Sequence, residues 1–139
     1  MNAFDTAKAF FEACESGQGW AGCQQFVAEG ATFTVQTEAM AEIKTVEEYA
    51  ETMAGLANQV LPGCSYDVHA AAYDEDSNTA IFFATFHARH TGDGGPVPAT
   101  NKETHTHYVY ALTMDDSDKV CKMVKVWNSN WAFAELGWA

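Results

Sequence analysis

Four of the five histidines form two short pairs on either side of a stretch rich in glycine and proline. His87 and His90 precede GDGGPVP, and His105 and His107 follow it. If the flanking stretches are the strands of one hairpin, the two pairs approach each other. Histidine titrates near neutral pH and can remove a proton next to a carbonyl group. The pattern therefore indicates proton-transfer chemistry with a histidine as the base.

Strand parity limits how many of these histidines share a pocket. Alternate residues of a strand point to opposite faces, so His105 and His107 share one face, whereas His87 and His90 lie on opposite faces. A second interpretation places the histidines at the surface or against a second subunit, where a half-hydrated contact suits them. A metal site at His105-x-His107 is a third, but no third ligand is fixed by spacing. We predict no metal.

The elements that must position these residues change character at Gly63. Before Gly63, apolar residues recur at helical spacing, apart from one alternating stretch. After Gly63, stretches of strand length are separated by the turn-forming sequences DEDSN, GDGGPVP and DDSD. The predicted helices cover residues 3–14, 20–27 and 45–60, and the predicted strands cover residues 31–36, 65–73, 79–91, 102–114 and 120–130.

Helices followed by an antiparallel meander are typical of an α+β domain in which helices cover one face of the sheet. We predict a single domain over residues 1–139, with a ligand pocket enclosed between the helices and the sheet. Three aromatic residues are the predicted ligand-binding residues, because aromatic side chains wall pockets for flat apolar molecules. They are Trp20, Tyr49 and Tyr108. Packing in the core is the alternative interpretation of these side chains.

Composition excludes several classes of partner. The 139 residues carry 19 acidic and 7 basic side chains, a formal net charge of -12, which repels nucleic acids and anionic membranes. No window reaches the roughly 20 apolar residues of a membrane span, and no secretory signal is expected at the amino terminus. The cysteines are widely spaced and form no CxxC pair or metal-ligand spacing, which favours buried thiols in a reducing compartment over a disulfide framework. We predict a cytoplasmic protein.

Three stretches share their order and spacing with a known family. Residues 61–92, LPGCSYDVHAAAYDEDSNTAIFFATFHARHTG, match a pattern of strand, short acidic turn, strand and His-Thr-Gly. Residues 115–128, DDSDKVCKMVKVWN, match a turn and last strand that end in an aromatic-Asp pair, and residues 133–138, FAELGW, match a closing Leu-x-x-Gln-Leu-Gly. The chain thereby resembles the SnoaL-like polyketide cyclases of the nuclear-transport-factor-2-like superfamily.

The resemblance implies a cone-shaped α+β fold, in which a curved mixed or antiparallel sheet wraps a long helix and leaves a deep pocket. It also implies a homodimer joined through the outer sheet face. In the cyclases, an aspartate on the last strand is the general acid and base, and the matching residue here is Asn128. An amide does not exchange protons near neutral pH, but it can hydrogen-bond a carbonyl or enolate.

Two functions follow. The first is a cofactor-free cyclase, isomerase or dehydratase that acts by proton transfer on a small hydrophobic carbonyl compound. Its predicted catalytic residues are His107, His105 and His87, with Asn128 as hydrogen-bond donor. The second is a non-catalytic, dimeric ligand-binding or interaction module, in which the missing aspartate reflects lost chemistry. A fold of this kind hosts both classes, so it does not decide between them.

Overall fold

The computed structural model describes residues 1–139, which form four α-helices and one five-stranded sheet. The helices are α1 (Ala3–Glu15), α2 (Gly19–Cys23), α3 (Val46–Gly55) and α4 (Ser129–Leu136). The strands are β1 (Val27–Val35), β2 (Ser65–Asp74), β3 (Thr79–Arg89), β4 (Glu103–Met114) and β5 (Val120–Trp127).

The sheet is open and mixed, with the strand order β1-β5-β4-β3-β2. Strands β2 to β5 form the predicted antiparallel meander, and β1 pairs in parallel with β5. The α+β class with a mixed sheet is therefore confirmed, and the sheet curves around the helices in the predicted cone shape.

Two helices fill the inner face of the sheet. Asn2 caps α1 through a hydrogen bond from the Asp5 amide, and Thr45 caps α3 in a capping box with Glu48. The rings of Phe10 and Phe11 on α1 are buried in the main core. Beyond α3 the chain continues as one π-helical turn, Leu56–Val60, so the predicted long helix ends at residue 60 as expected.

The predicted elements are wrong at three of their boundaries. The second helix ends at Cys23, a 3₁₀ turn follows, and β1 begins at Val27 rather than at residue 31. The last strand ends at Trp127 rather than at residue 130, because the Asn128 side chain accepts a hydrogen bond from the Trp131 amide and starts α4. Helix α4 was not predicted.

The structure also describes the state of the cysteines and the character of the helices. The cysteines are free thiols, with Cys14 and Cys23 buried and Cys64 and Cys121 partly buried. None of the helices combines the length and the apolar character that crossing a bilayer requires.

Candidate active site

A cavity of about 420 Å³ lies between α3, α4 and the inner face of the sheet. Twelve of its seventeen lining residues are hydrophobic, which suits a small apolar ligand. The apolar lining consists of Ala39, Met40, Met53, Leu56, Leu61, Phe86, Pro96, Trp127, Ala132, Phe133, Leu136 and Trp138, together with the ring of Tyr108.

Four buried polar residues interrupt this apolar lining: Glu15, Thr104, Tyr108 and Lys125. Glu15 is the last residue of α1, Thr104 and Tyr108 share the inner face of β4, and Lys125 belongs to β5. The structure thus brings a carboxyl group, an amine and two hydroxyls from three elements to one apolar cavity. Such a set can hold and move protons on a bound molecule.

Lys125 is held by tyrosines rather than by a carboxylate. Its Nζ donates a hydrogen bond of 2.8 Å to the Tyr49 hydroxyl, which in turn lies 2.8 Å from the Tyr110 hydroxyl. The Nζ atom also lies 4.6 Å from the ring centre of Trp127 and 5.5 Å from that of Tyr108. Burial lowers the pKa of the Lys125 amine, and the nearby charge of Glu15 opposes that shift.

Glu15 is 4% exposed, and its Oε2 atom has no hydrogen-bond partner. Burial raises the pKa of this carboxyl, while the positive charge of Lys125 opposes the shift. The Tyr108 hydroxyl also lacks a partner, and burial raises its pKa, so it remains a hydrogen-bond donor at neutral pH. Buried polar groups without a partner are rare in folded proteins, and a catalytic role is one explanation for them.

The histidines predicted as catalytic lie on the outer face of the sheet and do not line the cavity. His87 lies with its Nδ1 atom 2.7 Å from Nδ1 of His105 and its Nε2 atom 2.8 Å from a carboxylate oxygen of Asp67. His107 packs with its ring centre 5.7 Å from that of Phe83. Their catalytic assignment stays a prediction.

Asn128 is exposed and does not line this cavity; it caps α4 and borders a second, mostly polar depression. Trp20 is half-buried against the core and does not line the cavity. Tyr49 is fully buried behind Lys125, and Tyr108 forms part of the cavity wall. No histidine lies with Asn128 at this depression.

Sequence reasoning missed Glu15 and Lys125, although each is out of place in its pattern. Glu15 follows Phe11 by four residues, and so lies on the apolar stripe of α1. Lys125 alternates in phase with Met123 and Trp127, which puts a charge on the apolar face of β5. A charged residue at a core position was the available signal.

No group of three histidine, cysteine, aspartate or glutamate side chains is arranged to hold a metal ion.

Comparisons with known proteins agree with this fold. A family model described as the SnoaL-like domain matches residues 7–123. A sequence search of curated proteins found no significant match. Among solved structures, AclR from Streptomyces galilaeus, a candidate hydroxylase, has a TM-score of 0.77 at 17% identity over 99% of this chain and 85% of its own.

Two further solved structures carry other names on the same fold. IdmH from Streptomyces antibioticus, a candidate polyketide cyclase, has a TM-score of 0.75 at 14% identity over 99% of both chains. An epoxide hydrolase of the LEH-like type from M. tuberculosis has a TM-score of 0.66 at 13% identity over 96% of this chain and 88% of its own. At these identities the likeness shows the fold alone.

Proposed function

Since the chain belongs to the SnoaL-like domain family and has a small-molecule-binding fold, we propose that it is a cofactor-free enzyme acting by proton transfer on a hydrophobic carbonyl compound. The reaction is an isomerisation, cyclisation or dehydration. The observation that carries this proposal is the buried carboxyl of Glu15, which shares an apolar cavity with Lys125 and Tyr108 and has an unpaired oxygen. This arrangement supports Glu15, rather than a histidine, as the base.

In the proposed chemistry, Glu15 carries the proton and Tyr108 stabilises the enolate. The Glu15 carboxylate removes a proton from the carbon next to the ligand carbonyl, and the electrons of the broken C–H bond form an enolate. The Tyr108 hydroxyl donates a hydrogen bond to the enolate oxygen, where the charge develops. Glu15 then returns the proton to a different carbon, which completes an isomerisation. A raised carboxyl pKa favours this role, because a base works best when its pKa lies near the working pH.

The cavity also suggests the kind of substrate. A volume of about 420 Å³ with a predominantly apolar lining favours a bicyclic or tricyclic molecule with few polar groups. Phe86, Trp127 and Phe133 line the cavity and suit a flat, unsaturated ring system.

The experiment that tests this function is exchange of the acidic protons of 2-tetralone in D₂O, followed by NMR. We expect the wild-type protein to accelerate the exchange and Glu15→Gln to lose roughly 100-fold or more of that rate, the usual contribution of a general base. Glu12→Gln is the matched control, because Glu12 lies on the same helix and is exposed. Exchange that survives intact in Glu15→Gln would refute the assignment, and loss of exchange in His107→Gln would favour the histidine prediction instead.

The alternative function, a dimeric binding module, is favoured by the outer face of the sheet. Apolar side chains lie there in register. Exposed Val126 lies opposite half-buried Val109, Val109 lies opposite exposed Phe83, and exposed Ile81 lies nearby. This patch carries no charge in a chain of net charge -12, so two copies can meet there without bringing carboxylates together. We propose that a second copy of the chain covers it. Ligand binding without turnover by such a dimer would establish the module.

The proposal also covers the cellular compartment of the protein and the partners that it does not bind. Free thiols support a reducing, cytoplasmic compartment, and the acidic charge opposes nucleic acid and membrane partners.

A further inference from the structure

We propose that Lys125 is a covalent catalytic residue, which binds the carbonyl carbon of an aldehyde or ketone as an imine. The inference deepens the proposed function and rests on it for the use of Glu15 as the proton carrier. It replaces the enolate of that scheme by an enamine on Lys125. It restricts the substrates to aldehydes and unhindered ketones, because only these form an imine readily. A site that binds its ligand without a covalent bond has no such restriction.

The position of Lys125 carries the inference. Lys125 is 7% exposed and lines the cavity, whereas every other lysine of the chain is exposed or partly exposed. A lysine buried for structural reasons normally pairs with a carboxylate, but no carboxylate oxygen lies within 4.0 Å of this Nζ atom. Its only hydrogen-bond partner is the neutral hydroxyl of Tyr49.

A lysine must lose its proton before it can attack a carbonyl, and an apolar, poorly solvated site promotes that loss. Burial lowers the pKa of Lys125, which raises the fraction of neutral amine at neutral pH. The charge of Glu15 opposes this shift, but burial also raises the pKa of Glu15 and so favours its neutral form. Burial thus favours the uncharged form of both groups that line this cavity.

The chemical steps balance with the groups present. The Lys125 nitrogen attacks the carbonyl carbon, a C–N bond forms, and the nitrogen passes a proton to the oxygen, which gives a carbinolamine. Glu15 protonates the hydroxyl, which leaves as water, and an iminium remains. The Glu15 carboxylate then removes a proton from the neighbouring carbon, giving an enamine. Protonation at a different carbon and hydrolysis release the isomerised carbonyl compound and the free amine.

The aromatic rings around Nζ suit the positive charge of the iminium. The ring centres of Trp127, Tyr49, Tyr108 and Tyr110 lie 4.6, 5.0, 5.5 and 6.0 Å from Nζ. A cation close to aromatic rings is stabilised by their negative faces, most strongly where water is excluded. The cavity therefore fits the cationic intermediate as well as the apolar body of the ligand.

The test is reductive trapping with 6-methoxy-2-naphthaldehyde and sodium cyanoborohydride at pH 7, followed by intact mass and peptide mapping. We expect one adduct, on Lys125. Lys125→Arg should abolish it, because arginine keeps a positive charge but forms no imine under these conditions. Lys122→Arg is the matched control, since Lys122 is exposed on the outer face of the same strand. Adducts spread over the surface lysines, or no adduct, would overturn the inference, and mapping of the wild-type protein gives this answer even if Lys125→Arg fails to fold.

The proton-exchange experiment and the trapping experiment test the two proposals separately. Exchange of 2-tetralone protons without an adduct would leave the proton-transfer function standing and reject the imine. An adduct on Lys125 without Glu15-dependent exchange would support the imine and reject the proposed proton transfer. We expect both, with the adduct forming more slowly in Glu15→Gln because that variant lacks the acid that expels water.

Discussion

The indole Nε1 of Trp138 donates a hydrogen bond of 2.9 Å to Nδ1 of His90, and this contact holds the end of the chain beside the cavity. The same nitrogen accepts a bond of 3.3 Å from the Thr100 amide, and the Thr100 hydroxyl donates to the carbonyl oxygen of Leu136 at 2.6 Å. Trp138, Leu136 and Pro96 all line the cavity, so this cluster joins two of its walls.

Trp138→Phe should loosen this wall. The variant keeps an aromatic ring but loses one partly buried hydrogen bond, so we expect a loss of about 1 kcal/mol in the free energy of unfolding. The Thr100 amide should exchange its hydrogen faster, and an aromatic ligand should dissociate faster. Hydrogen exchange by NMR and stopped-flow fluorescence measure these effects. Trp131→Phe is the control, because Trp131 is 59% exposed. Equal behaviour of the two variants would contradict the role of His90 as anchor.

Tyr49→Phe should destabilise the chain and deepen the desolvation of Lys125. It removes the hydrogen-bond partner of two buried groups, Lys125 Nζ and the Tyr110 hydroxyl, so we expect a cost of about 1–3 kcal/mol in urea unfolding. The aldehyde adduct should then form at a lower pH, because the neutral amine is favoured further. Tyr66→Phe, at a half-buried tyrosine outside this network, is the comparison. A cost no larger than that of Tyr66→Phe would argue against the network.

Much of the fold could be predicted from local signals. The capping box of Thr45 and Glu48 and the turn-forming stretches specify α3 and the meander without long-range information. Helix α4 was missed because its start depends on Asn128, a residue that also suits the end of a strand. The parallel pairing of β1 with β5 joins distant parts of the chain and leaves no short-range pattern.

The candidate site was harder to predict than the fold. Parity correctly separated His105 and His107 from the other face of β4, where Tyr108 lies, but it does not say which face is the inner one. The approach of Glu15 to Lys125 depends on how α1 packs against the sheet, and spacing along the chain contains no such information. The sequence shows only that Glu15 and Lys125 each occupy a position on an apolar stripe, where a charged residue is unexpected.

Glu15→Gln should change how stability depends on pH. A carboxyl with a raised pKa binds its proton more tightly in the folded state, so the free energy of unfolding falls as pH rises from about 4.5, its ordinary value, to the raised pKa. Lys125 has the opposite slope, since its lowered pKa makes stability rise up to about pH 10.5. Glutamine resembles the neutral acid, so the variant should gain stability relative to wild type at pH 8 but not at pH 4. Urea unfolding at both pH values measures this, and a variant less stable than wild type at pH 8 would contradict it.

Val126→Asp should disrupt the proposed dimer. Val126 is 61% exposed on the outer face, beside Val109 and in line with Phe83. A charge at this apolar patch loses its water when two copies meet. In a symmetric dimer, both copies place this charge in the contact, so the cost arises twice. We expect wild type to sediment as a dimer at micromolar concentration and the variant as a monomer with unchanged helix content. Val68→Asp is the control, because Val68 is 45% exposed but lies on the inner face, opposite Ala84. A monomeric wild type, or a Val126→Asp dimer as tight as that of Val68→Asp, would exclude this face as the contact.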